Sequence, residues 1–142
     1  MTIQQISVFL PNQPGSFCQI AKSLSDNHVN MRAMSVADTS DFGILRIIVD
    51  NNEKACAVLK ELGCIYKETP VVAVKVSDTP GALVNILEAL NTAGISLEYM
   101  YAFTAKTEGA FIVCRVNDVD KTVEVLENAG VPLLSKAEID SM

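Results

Sequence analysis

Two short stretches hold the residue types that could hold a ligand: Asp78-Thr79-Pro80-Gly81-Ala82-Leu83 and Asn12-Gln13-Pro14-Gly15-Ser16-Phe17. Each follows a short apolar run, Val72–Val76 or Ile6–Leu10, and each leads into an amphipathic pattern. Proline presets φ near the helical value and is expected at the first helical position, where its missing N–H costs nothing. The glycine after it lets the backbone come close to whatever sits in front of the helix. A helix start of this kind points unpaired N–H groups and a positive dipole end outward, which suits a carboxylate or a phosphate. A single copy reads more readily as a well-made helix start and nothing more. Two copies in matching places shift that balance toward the binding role.

Other chemistries find little support. The four cysteines, Cys18, Cys56, Cys64 and Cys114, never occur as C-x-x-C, and His28 is the only histidine. They read as buried free thiols acting as small apolar side chains. Cys–His catalysis would rest on His28 alone. There is no nucleophile elbow, no phosphate loop and no metal-spaced ligand set. No cofactor is expected. With a net charge of -6 and no basic stripe, the chain does not suit nucleic acid. No apolar run approaches the roughly 18 residues of a membrane span, and the N-terminus lacks the charged and apolar regions of a signal peptide. A soluble cytoplasmic protein is expected, with no membrane partner. A hydrophobic content of 49% describes a filled core.

The elements that must position the two turns form one unit, written twice. A shift of 66 residues carries Pro14-Gly15 onto Pro80-Gly81, Ile20 onto Ile86, Leu24 onto Leu90, Met34 onto Met100 and Gly43 onto Gly109; near the end of each unit the shift becomes 67, matching Gly63 to Gly130. The joint falls at Glu68-Thr69-Pro70, giving domains 1–68 and 70–142. In the first unit a strand with inward Ile6, Val8 and Leu10 precedes a helix whose face is Phe17, Ile20, Ala21 and Leu24. Val29–Ala37 and Gly43–Val49 form a hairpin around Asp38-Thr39-Ser40-Asp41. A second helix, capped within Asp50-Asn51-Asn52, buries Ala55, Val58, Leu59 and Leu62, ends at Gly63 and leads to a short strand, Cys64–Tyr66. The second unit repeats the order: strand Val71–Val76, helix face Leu83, Ile86, Leu87 and Leu90, hairpin strands Ile95–Thr104 and Ala110–Val116 around Lys106-Thr107-Glu108-Gly109, a last helix with inward Val123, Leu126 and Ala129, and strand Val131–Leu134. The tail from Ser135 has weak helical character and no readable role. Each unit is β-α-β-β-α-β, an α+β order that folds as a ferredoxin-like sandwich with both helices on one face of four antiparallel strands. Units of about 65 residues are marginal alone, so pairing the copies is economical.

Two such units, each with a Pro-Gly turn between its first strand and first helix, resemble a tandem ACT-domain protein. The resemblance covers about residues 3–68 and 70–135. It rests on the two turns, on the Ile-x-x-x-Leu helix after each, and on Asn27-His28-Val29-Asn30-Met31 and Ala93-Gly94-Ile95-Ser96-Leu97 at the helix-to-strand turns. ACT domains are small regulatory modules that bind amino acids. The resemblance implies two units side by side in a continuous eight-stranded antiparallel sheet, with ligands at the interface between units. One implied site uses Asn12, Gln13, Gly15, Ser16 and Phe17 with Ser96 and Leu97. The other uses Asp78, Thr79, Gly81, Ala82 and Leu83 with Asn30 and Met31. The chemistry suits a zwitterion: loop N–H groups meet its carboxylate, and Asp78 or the amide oxygens of Asn12 and Asn30 meet its ammonium. Asp78 equally reads as a brace for its own turn, and Asn30 as a residue tolerating a left-handed turn. The two loops differ in charge, so unequal sites are expected.

The function implied is a non-catalytic amino-acid-binding regulator acting in trans on a metabolic enzyme or another protein, with a homodimer as a further possibility. A structural or regulatory subunit that binds no small molecule is the alternative. An enzyme is disfavoured by the missing catalytic constellations, although the fold alone does not exclude one.

Overall fold

Alternation along Ile3–Pro11 and Phe42–Val49 puts one apolar side of each strand under the helices, and this period dictates the packing of each half of the molecule. A computed structural model describes residues 2–11, 13–38, 42–105 and 109–142. The elements run β1 (Ile3–Pro11), α1 (Ser16–Asp26), β2 (Met31–Asp38), β3 (Phe42–Val49), α2 (Asn52–Glu61), β4 (Tyr66–Val76), α3 (Ala82–Thr92), β5 (Leu97–Ala105), β6 (Gly109–Val116), α4 (Val119–Asn128), β7 (Leu133–Leu134) and α5 (Lys136–Asp140). The expected turn residues Thr39-Ser40-Asp41 and Lys106-Thr107-Glu108, and the candidate ligand contact Asn12, lie outside the described residues.

The chain divides into a first unit, Gln4–Thr69, and a second, Pro70–Met142, which also counts Ile3. In the first unit the strand order is β2-β3-β1-β4. Val8 opposes Leu45 and Ile6 opposes Ile47 across an antiparallel ladder, while Met34 opposes Ile47 from the other side. Ile6, Val8 and Leu10 meet Leu45, Ile47 and Val49 on one sheet face. Ile20 and Leu24 of α1 and Ala55, Val58 and Leu59 of α2 close over them. In the second unit the order is β5-β6-β4-β7. Val72 opposes Cys114 and Val74 opposes Ile112, and Val74 also opposes Leu133. Ile86, Leu90 and Leu126 cover that face. Each half is therefore the β-α-β-β-α-β sandwich that its repeat pattern predicts.

Four expectations change. Eight strands were expected, and the described residues form seven, because the stretches either side of Glu68-Thr69-Pro70 join as the single strand β4. Cys64 and Ile65 lie instead in the irregular stretch before it. Pro70 has no N–H to give a ladder, and its carbonyl accepts from Arg115 Nη1 at 2.8 Å. Leu83 and Leu87 do not face inward: each is 36% exposed, with Val84 beside them at 50%. Helix α3 carries an apolar arc wider than its buried face, so periodicity named Ile86 and Leu90 rightly and added Leu83 and Leu87. The small residues Ala82, Ala89 and Ala93 flank Ile86 and Leu90 against the core and leave the larger ones outside. Likewise Ala129 is exposed, and Thr122 is buried in its place with its hydroxyl donating to the Asp118 carbonyl at 2.7 Å. Finally, the tail forms α5, capped by Ser135 Oγ and anchored by a fully buried Ile139.

Candidate functional site

The two Pro-Gly stretches adopt one local geometry. Ser16 N–H donates to Gln13 O at 3.3 Å and Ala82 N–H donates to Thr79 O at 3.2 Å. Gly15 has φ 86° and ψ -1°, and Gly81 has φ 87° and ψ -9°. Proline second and a left-handed glycine third define a type II turn. The glycine, not the proline, is the N-cap, so proline stands one residue before the cap and not at the first helical position. The turn takes proline for its fixed φ, and glycine for a positive φ that other residues rarely adopt. Steric crowding is not the reason, since a Cβ at either glycine would meet nothing within 4 Å.

Neither glycine can offer a side-chain cap. Gln19 N–H and Asn85 N–H are the first to find helical carbonyls, those of Gly15 and Gly81. The N–H groups of Phe17 and Cys18, and of Leu83 and Val84, are left to an outside acceptor. The second helix of each unit behaves differently. Asn51 accepts from Lys54 N–H at 3.0 Å and Asp118 accepts from Lys121 N–H at 3.1 Å, so both helices close their own ends. Within each unit, the open helix start is the one behind the Pro-Gly turn.

Four of the predicted residues, Gln13, Gly15, Ser16 and Phe17, line one hollow of about 300 Å³ with Cys18, Val36 and Gly43. Val36 and Gly43 were missed from sequence, because their strand register decides the contact: Gly43 opposes Leu10 on one side and Asp38 on the other. Phe17 also packs against the first core and Ala82 against the second. In the second turn Thr79 N–H donates to Ser77 O at 2.9 Å, and the two hydroxyls lie 3.0 Å apart. Asp78 is exposed, and among the described residues no hydrogen bond engages its carboxylate. It therefore does not brace the turn.

Asn30 and Ser96 occupy equivalent places at the starts of β2 and β5. Asn30 N–H donates to Asp50 Oδ1 at 3.0 Å and Asn30 O accepts from Asp50 N–H at 3.1 Å. Ser96 makes the same pair of bonds with Asn117, at 2.9 and 3.2 Å. Asn30 does not take a left-handed conformation; His28, with φ 60°, is the described non-glycine residue that does. Met31 and Leu97 pack against their own cores. Both Asn30 and Ser96 keep exposed side chains.

A larger groove, about 470 Å³, lies at the end of β1, and its lining includes Phe9, Gln13, Gln19, Phe42 and Ile65. Its counterpart in the second unit has the same volume and is lined by Lys75, Asn85 and Pro132 at the matching places. The four cysteines are free thiols. Cys114 is buried, Cys56 and Cys64 are half-buried, and Cys18 is exposed, against the expectation that all are buried. Burial pushes the Cys56 thiol up to about 12, helped by its hydrogen bond to Glu68 Oε1 at 3.1 Å, so it is a poor nucleophile. Among the described residues no group of three His, Cys, Asp or Glu side chains could hold a metal ion, and no helix is long and apolar enough to cross a membrane.

The family model for the ACT domain pair matches residues 1–142. Protein BT0572 from Bacteroides thetaiotaomicron is similar in structure, with a TM-score of 0.93 and 35% identity over 100% of this chain and 98% of that one. The ligand-free regulatory subunit of aspartate kinase from Thermus thermophilus shares the fold, with a TM-score of 0.62 and 16% identity over 89% and 91% of the two chains. The corresponding subunit from Thermus flavus gives 0.60 and 16% over 89% and 92%. No curated protein matches. No catalytic family is indicated by these matches. With two β-α-β-β-α-β units, each opened by the same type II turn, and a family match along its whole length, the chain belongs to the ACT domain-pair family.

Proposed function

We propose that this chain is a non-catalytic regulatory protein that binds an amino acid and acts in trans on a metabolic enzyme or another protein. The observation that carries the reading is the pair of open helix starts. Each unit caps its second helix with its own side chain and leaves the first, behind the Pro-Gly turn, without one. Those N–H groups suit a carboxylate. Asp78, exposed and unengaged, suits an ammonium. The proposed contacts are Gln13, Gly15, Ser16 and Phe17 at one turn and Asp78, Thr79, Gly81, Ala82 and Leu83 at the other. Asn30, Met31, Ser96 and Leu97 complete the set, and Asn12 belongs to it by sequence. Action in trans is supported by relatives whose names describe regulatory subunits of aspartate kinase.

A thermal-shift screen against the twenty amino acids at millimolar concentration tests this. At about 100 times the dissociation constant a ligand adds roughly 2.7 kcal/mol, a rise of several degrees. A selective rise that Asp78→Asn weakens supports the reading; the exposed side chain can be changed without disturbing the turn. No rise with any amino acid moves the assignment to a structural subunit without a small-molecule ligand. The exposed α3 residues Leu83, Val84 and Leu87 favour that second reading.

A further inference from the structure

We propose that the groove at the end of β1 is a small-molecule site adjoining the first turn, taking an uncharged ring with a hydrogen-bonding edge. Its walls are Phe9 and Phe42, whose ring centroids lie 5.6 Å apart at 59°, and Ile65. These residues are 41%, 40% and 70% exposed, so three large apolar groups face solvent around one cavity. At about 470 Å³ the groove falls within the range of small-molecule pockets. Its polar lining is neutral: the Gln13 and Gln19 carboxamides and the Ser16 hydroxyl. Among the described residues no charged side chain lines it, so the described lining offers a zwitterion or a phosphate no counter-charge, whereas a neutral ring finds apolar walls and amide edges.

The second unit is an internal control. Its groove has the same volume, between the same elements, yet Lys75 stands where Phe9 stands and Pro132 follows Val131 where Ile65 follows Cys64. The fold of a unit does not need the aromatic wall, because its own copy is built without it. Packing therefore does not account for Phe9 and Ile65 at the surface, and ligand binding does. The Phe9 N–H donates to the Ile65 carbonyl at 2.9 Å, so both walls are held on paired backbone. The groove shares Gln13 and Ser16 with the first turn's proposed contacts and differs from that reading in its Phe9, Phe42 and Ile65 wall and in the ligand it takes.

Amide NMR spectra of the full chain, titrated with nicotinamide, adenine, indole and p-cresol at millimolar concentration, provide the test. At least one probe is expected to shift the Gln19, Gly63, Cys64 and Ile65 amides and to leave those of Lys75, Asn85 and Gly130 unmoved. Phe9→Lys, which installs the residue of the second groove, is expected to weaken that probe at least tenfold while the rest of the spectrum keeps its native dispersion. Ile65→Ser should weaken it as well and leaves the ring pair in place. Failure of all four probes overturns the proposal. So does a probe that binds Phe9→Lys as tightly as the parent chain. A self-association that Ile65→Ser dissolves, with no probe bound, overturns it in favour of a second copy of the chain. A thermal response to free amino acids that Phe9→Lys leaves unchanged belongs to the amino-acid reading and not to the groove, so either proposal can fail alone.

Discussion

The first and second units share their backbone devices and differ in what they show to solvent. Gly15 and Gly81 agree within 1° in φ, and the caps Asn51 and Asp118 sit at φ -140°, ψ 95° and φ -136°, ψ 95°. Of the four helix ends within the repeats, three close on a left-handed glycine: Gly63, Gly94 and Gly130, each followed by an N–H that reaches back to Leu59, Leu90 or Leu126. The fourth makes the same bonds around His28. At the surface the agreement ends: Phe9 answers to Lys75, Gln19 to Asn85, and the α3 stripe Leu83, Val84 and Leu87 to Phe17, Cys18 and Ala21. Positions that set φ or fill a core resist change because nearly every alternative costs free energy, whereas surface positions diverge with function.

Five experiments break or sharpen this comparison. The largest effects belong to the cores: Leu24→Ala and Leu90→Ala, at buried equivalent positions, should each cost about 2–5 kcal/mol in chemical denaturation. A loss at one position only would show that the cores are not equivalent. Gly15→Ala and Gly81→Ala should each cost roughly 1–2 kcal/mol, since the strain lies in φ and not in crowding. A neutral result at either turn would sink the type II assignment there. Asn51→Ala and Asp118→Ala should cost about 1 kcal/mol apiece. The sharpest contrast is His28→Gly, which should stabilise the chain by about 0.5–1 kcal/mol because it gives the odd helix end the residue the other three use. If the melting temperature falls instead, the imidazole makes a contact that its exposure does not suggest.

The smallest effect concerns pH. Burial pushes the Cys114 thiol up from its ordinary 9.0 to about 11, so the folded chain holds this proton more tightly than the unfolded one. That contribution to stability is complete below about pH 9 and is lost as pH rises through about 11. Cys114→Ala should flatten the fall of melting temperature over that window; an unchanged slope would assign the fall to other groups.

Much of this was legible in the residues. The duplication could be read from Pro14-Gly15 and Pro80-Gly81, and the helix stops from Gly63, Gly94 and Gly130, because positive φ leaves glycine as the ordinary choice. Ile6, Val8 and Leu10 announced their face through a period of two. The face of α3 was legible only in part: Ile86 and Leu90 were named, but an apolar arc wider than the buried face does not tell that Leu83 and Leu87 stay outside. Gly43 and Val36 escaped for another reason: they reach the first turn through antiparallel register, which no local pattern states. Phe9 could have been flagged, as a large aromatic at an outward position of a strand whose inward set was already known.

The chain alone determined the β-α-β-β-α-β order, its repetition and the two turns, since each follows from short-range limits on φ and from the periodicity of buried side chains. Only the tertiary structure decided that Tyr66–Val76 runs as one strand through Pro70, that Leu83, Val84 and Leu87 stay outside, and that Phe9, Phe42 and Ile65 meet around one groove. Those outcomes depend on which residues become neighbours across strands and helices far apart in sequence, and local preference carries no record of that.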